Sequence, residues 1–124
     1  MARILLSCFM LVSLLSGCAK KCEVKDGIYD DGILKITTSS NGVQKGVINI
    51  SQGQPNIECN IYFQLNASNT ECIKEIVLMD WDNNKCKAYL EVRDKNIYIK
   101  SEESLFPCQR IIDLNGGVEF FFEE

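Results

Sequence analysis

The feature that most constrains this chain is a two-residue hydrophobic period that recurs along its second half. In IECNIYFQL, Ile57, Cys59, Ile61, Phe63 and Leu65 share one phase, while Glu58, Asn60, Tyr62 and Gln64 share the other. Successive side chains of an extended strand point to opposite faces, so such a segment buries one face and wets the other. CKAYLEV repeats the pattern, with Cys86, Ala88, Leu90 and Val92 opposite Lys87, Tyr89 and Glu91. Ile97 and Ile99 alternate with Tyr98 and Lys100, and Val118, Phe120 and Phe122 alternate with Glu119, Phe121 and Glu123.

Turn formers separate these runs. Asn41-Gly42 lies between ILKITTS and VQKGVINI, a strong short-range hairpin signal. Asp94-Lys95-Asn96 and Asn115-Gly116-Gly117 mark two further turns, QGQP at 52–55 breaks the chain again, and Pro107 marks another bend. Short strands joined by tight turns imply an all-β fold, a small antiparallel β-sandwich or β-barrel of seven to eight strands.

The segment SNTECIKEIVLMDW reads two ways. Ser68 and Glu71 have capping-box spacing, and Cys72, Ile73, Ile76 and Val77 would line one helical face. As a strand over 75–81 it sets Val77, Met79 and Trp81 against Ile76, Leu78 and Asp80, with both phases largely apolar. The strand, leading into a hairpin, suits its neighbours better. The tip of that hairpin, DWDNNK, overlaps a calcium-loop pattern, with Asp80, Asp82, Asn84 and Glu91 at the oxygen-donor positions. Lys85 stands where that loop needs glycine, and Glu91 belongs to a strand. An Asp/Asn-rich turn is the expectation, with no metal site.

The first 18 residues follow different rules. Arg3 gives a positive start, Ile4 to Leu15 is an apolar run too short to span a bilayer, and Leu15-Ser16-Gly17-Cys18 ends it. This leader resembles that of a bacterial lipoprotein precursor. The resemblance implies a signal peptide over 1–17, cleavage before Cys18, and acyl chains on the Cys18 thiol that hold the protein in the membrane. Ala19 in the second mature position implies an outer-membrane address within the cell envelope. On this reading residues 18–32, polar and turn-rich, form a lipidated tether, and residues 33–124 form a single β domain.

With Cys8 removed and Cys18 acylated, five of the seven cysteines remain. An oxidising compartment then favours disulfides, with Cys59, Cys72, Cys86 and Cys108 as candidates and Cys22, in the tether, as the unpaired thiol. No two of the four candidates have C-x-x-C spacing.

Histidine is absent, which removes His-dependent nucleophile systems and the commonest general base. Asp30-Asp31 and Glu102-Glu103 read as solvated turn acids, and no glycine-rich phosphate loop is present. Asn66-Ala67-Ser68 fits a glycosylation pattern, but in a bacterial lipoprotein it is a polar loop. The expectation is a protein without enzyme activity or cofactor. Loss of Arg3 with the leader moves the formal charge from −4 to −5, which disfavours nucleic acid as a partner.

Binding is what remains. Tyr62, Tyr89, Tyr98 and Phe121 fall on the polar phase of their strands, interleaved with Lys87 and Glu91, and together they form a candidate partner-binding face. The expected role is a lipid-anchored envelope protein that binds and neutralises a protein partner: an immunity protein against a periplasm-acting toxin, or an inhibitor of a wall-degrading enzyme. The architecture is similar to that of membrane-bound lysozyme inhibitors, although their Ser-Gly-x-x-Tyr type loop is absent here. The alternatives are a small barrel carrying a lipid or other apolar ligand among Ile61, Phe63, Leu90, Phe120 and Phe122, or an outer-membrane assembly or phage receptor-masking lipoprotein.

Overall fold

The computed structural model describes residues 21–52, 57–103 and 113–124. The leader, Cys18, Cys108, Pro107 and most of the QGQP break lie outside the described residues. The described chain forms eight strands: β1 (Gly27–Tyr29), β2 (Leu34–Thr38), β3 (Val43–Gln52), β4 (Ile57–Asn66), β5 (Ile73–Met79), β6 (Lys85–Arg93), β7 (Asn96–Ser101) and β8 (Val118–Phe120). They pair in sequence order, each antiparallel to the next, as one meander. A bridge between Tyr29 and Phe122 joins the two ends. Backbone bonds from Asp30 N–H to Phe121 O and from Glu123 N–H to Ile28 O complete the join, so the sheet is a nearly closed barrel and not a sandwich.

The period-two residues point where their alternation requires. Cys59, Ile61, Phe63 and Leu65 of β4, Cys86, Ala88 and Leu90 of β6, and Ile97 and Ile99 of β7 are all buried in one apolar cluster. Asn41 and Gly42 turn β2 into β3, and Gly42 takes a φ of +82°, which its missing Cβ permits. Gly46 has a different task. A Cβ there would meet the Phe63 ring at 2.1 Å, so the glycine makes room for that ring inside the barrel wall.

The segment that read two ways is a strand, displaced from the expected 75–81 to Ile73–Met79. Its inward phase is Lys74, Ile76 and Leu78, continuing to Asp80, and its outward phase is Ile73, Glu75 and Val77. The more charged phase is therefore the buried one. Lys74 fills the barrel beside the 66–72 loop and donates through its ammonium to the Asn69 carbonyl. Burial pushes its pKa down, while the Glu71 and Glu23 carboxylates pull it back up. At the other end of β5, Asp80 accepts from the Asp82 and Asn84 amides and from the Asn84 side chain, at 2.9 to 3.0 Å. That carboxylate caps the 80–84 turn, as the Asp/Asn-rich reading expects. Glu91 sits on β6, bonded to Arg93.

Two expectations about the N-terminal segment are corrected. Cys22 is bonded to Cys72, with Cα atoms 4.8 Å apart, and Cys86 is the buried free thiol. Cys59 is also disulfide-bonded. The tether reading of 18–32 fails from Cys22 onward. Val24 and Tyr29 are buried in the core, and the Val24 carbonyl accepts from the buried Gln44 side chain. The polar look of AKKCEVKDGIYDDG hid two anchoring apolar side chains and a staple. Closing a loop with a sequence separation of 50 stabilises the fold by about 4 kcal/mol on the chain-entropy account.

Candidate functional site

The barrel wall is uneven, and the unevenness is local. β3 and β4 pair at ten positions and β5 and β6 at seven, whereas β4 and β5 have one paired position, Tyr62 with Met79. Between that pair and the 66–72 loop the two strands separate. A groove of about 740 Å³ occupies the separation. Phe63 and Ile76 form its floor, and Gln64, Glu75, Val77 and Lys45 form its walls. Beyond the Tyr62–Met79 pair it continues to Trp81, Asn83 and Lys85 on the 80–85 turn.

Beside this groove lie three of the exposed large apolar side chains among the described residues. Trp81 is 70% exposed, Ile73 60% and Val77 49%, and all three sit on or just after β5. Trp81 does not swing freely, because its ring meets Tyr62 edge-on with centroids 5.6 Å apart. Tyr89 adds to the strip from β6, where it pairs with Glu75, and Lys87 stands opposite Val77. Large exposed apolar side chains scattered singly are ordinary, but three on one face of one strand, interrupted by Glu75 and bordered by Lys87, are the kind of grouping that binding surfaces use.

The predicted tyrosine face divides under this geometry. Tyr62 belongs to the groove, with Trp81. Tyr89 and Lys87 border the β5 strip from β6. Tyr98 and Glu91 form a different unit: Tyr98 pairs with Glu91 on one side and Glu119 on the other, and the Arg93 guanidinium lies 3.8 Å from the centre of its ring. Arg93 also bridges Glu91 and Glu119, each at 3.2 Å. These contacts hold the β6–β8 surface together, and at this exposure they contribute little to stability. Phe121 stands apart at the barrel closure, where its amide donates to Asp30 Oδ1.

Trp81, Val77 and Ile73 are the surface residues that sequence pattern alone does not assign. In IVLMDW both phases are apolar, so alternation does not say which one faces water. Charge would have argued for burying Val77, Met79 and Trp81 and exposing Lys74 and Asp80, and the fold does the reverse.

Comparison of the chain with protein-family models, with curated proteins and with solved structures finds no match. The reading of the site rests on its own chemistry.

Proposed function

We propose that this is a lipid-anchored envelope protein that binds a protein partner and blocks it, with the β5 strip and the adjoining groove as the contact surface. The observation that carries the reading is Trp81, a 70% exposed tryptophan beside exposed Val77 on a strand whose charged phase is turned inward. Tryptophan is enriched among the residues that dominate interface energies. Three of the charged side chains are committed to structure: Asp80 caps a turn, Arg93 joins two glutamates, and Lys74 ties a loop. The interior supports the same reading. Ile61, Phe63, Leu90 and Phe120 are packed in one cluster with Phe122 against it, so the barrel is filled by its own side chains.

The anchor and the staple together suggest an orientation. If Cys18 carries the lipid, four residue steps separate it from Cys22, a span of at most about 14 Å. Cys22 is fixed to Cys72 and its amide donates to the Thr70 carbonyl, so the 66–72 end of the barrel is held near the membrane surface. The 80–84 turn, at the opposite end of β5, then points into the aqueous compartment and presents Trp81 to a soluble partner.

The test is affinity capture from envelope extracts with a soluble domain of residues 19–124, which retains Cys22 and its disulfide. The captured protein is then assayed for inhibition. Recovery of a toxin or wall-degrading enzyme whose activity the domain suppresses supports the reading. Recovery of lipid alone, or of assembly components with no activity to inhibit, contradicts it.

A further inference from the structure

We infer that the β4–β5 seam is a strand-acceptor site: a short extended segment of the partner lies along it, pairs with backbone that the barrel leaves unladdered, and places a carboxylate between Lys45 and Lys85. The inference rests on the protein-binding reading above and specifies its mode.

Three observations carry it. First, the ladder between β4 and β5 stops at Tyr62–Met79, whereas an unbroken one would continue two residues further in each strand and set Gln64 opposite Val77. Backbone N–H and C=O groups along a strand edge seek partners, and an extended peptide supplies them in the right spacing. Second, the stretch of the seam without a ladder runs from the Tyr62–Met79 pair to the 66–72 loop, leaving Phe63–Asn66 as the accepting length of β4. Four residues of strand span about 13 Å, which admits a short segment and not a whole hairpin. Third, the outer face of the seam carries two cations against one anion, because Asp80, the second acid in its lining, is buried. Lys45 and Lys85 both line the groove, and neither forms an ion pair among the described residues. Of the two acids that line it, Asp80 already accepts three hydrogen bonds, which leaves Glu75 as the single uncommitted carboxylate. An occupant that alternates apolar and acidic side chains would turn the former inward onto Phe63 and Ile76 and the latter outward, between the lysines.

The test uses the 19–124 domain and a capped pentapeptide, Thr-Val-Glu-Val-Thr, at millimolar concentration, read by amide chemical shifts and hydrogen exchange. The expected result is shifted and slowed amides within Phe63–Asn66 and Glu75–Val77. Affinity should fall roughly tenfold or more when the peptide glutamate becomes lysine, and binding should vanish for Thr-Pro-Glu-Pro-Thr, which lacks the two N–H donors that flank the glutamate. A double variant, Gln64→Cys with Val77→Cys, oxidised to draw the two strands together and close the seam, is expected to stay folded and lose peptide binding. Equal response to the three peptides would overturn the inference. So would undiminished binding by the locked variant, seam amides already protected in the free protein, or a seam occupied by a second copy of the chain. No envelope protein enters this assay, so its failure beside successful capture through Trp81 removes strand pairing alone and leaves the protein-binding reading standing.

Discussion

Tyr62 and Met79 face each other as the single paired position that joins β4 to β5 among the described residues, and the two halves of the barrel wall meet there. On one side of that pair the strands separate into a groove. On the other, Trp81 packs edge-on against Tyr62 at the start of the 80–84 turn. One point thus divides a structural seam from an exposed aromatic, and both lie beside the apolar strip of β5.

The disulfide framework is open to direct mapping. A non-reducing peptide map of the 19–124 domain is expected to show Cys22 linked to Cys72 and Cys86 alkylated as a free thiol. Cys108, the one other cysteine of that domain, is expected as the partner of Cys59. Replacing Cys22 and Cys72 by serine together is expected to cost about 4 kcal/mol in a denaturant titration, from the loop of separation 50 that the bond closes. A cost below about 1 kcal/mol would mean that the N-terminal segment docks without the staple.

Gly46 offers a packing test. Its Cβ position is 2.1 Å from the Phe63 ring, and ring and glycine sit at paired positions of β3 and β4. Gly46→Ala is expected to destabilise by about 2 to 3 kcal/mol through overpacking. Adding Phe63→Leu should recover part of the loss, a coupling that a double-mutant cycle measures. Additive losses would show that the ring is not what excludes a side chain there.

Alkaline stability separates two buried groups of opposite sign. Tyr29 is buried, donates its hydroxyl to the Lys25 carbonyl at 2.6 Å, and has its pKa raised to about 12 by burial and by the Asp26 charge. A raised folded pKa gives stability that is present below the unfolded value of 10.0 and is lost as pH rises towards 12. The loss is expected to reach about 2 kcal/mol and to be absent in Tyr29→Phe. Lys74 runs the other way. Its folded pKa is lowered, so stability rises with pH between that value and 10.5 as the buried ammonium is relieved of its proton. Lys74→Met is expected to raise the midpoint at neutral pH and to remove that rise. Thermal melts of the two variants across about pH 9 to 12 show both effects.

Most of the barrel was legible in the sequence because one face of each strand is apolar and the other wet. Cys59, Ile61, Phe63 and Leu65 of β4, Cys86, Ala88 and Leu90 of β6, and Ile97 and Ile99 of β7 are buried as their alternation requires, and the Asn41-Gly42 and Asp94-Lys95 turns fall between strands as their chemistry requires. β5 was harder. Where both phases are apolar, the inner face is chosen by what the ends of the strand do, and here Lys74 reaches a loop carbonyl while Asp80 caps a turn. Cys22 was misplaced for a related reason: pairing depends on where Val24 and Tyr29 dock, and a polar composition does not report that. The expected tyrosine face is spread along the wall because strand order, which the sequence does not state, sets Tyr62 and Tyr98 on opposite sides of β5 and β6. Local rules that the fold overrides tend to mark sites with another role, and the exposed Trp81 phase of β5 is such a place.

The most direct test of the account compares two surface variants in the same capture and inhibition assay. Trp81→Ala removes an exposed side chain and is expected to leave the thermal midpoint within about 2 °C of the wild type. It should weaken partner binding at least tenfold, about 1.4 kcal/mol or more. Phe121→Ala, at the barrel closure on the far side of β6–β8, is expected to bind as the wild type does. Retention of full partner binding and inhibition by Trp81→Ala, with loss in Phe121→Ala, would contradict the account and move the contact surface to the other face of the barrel.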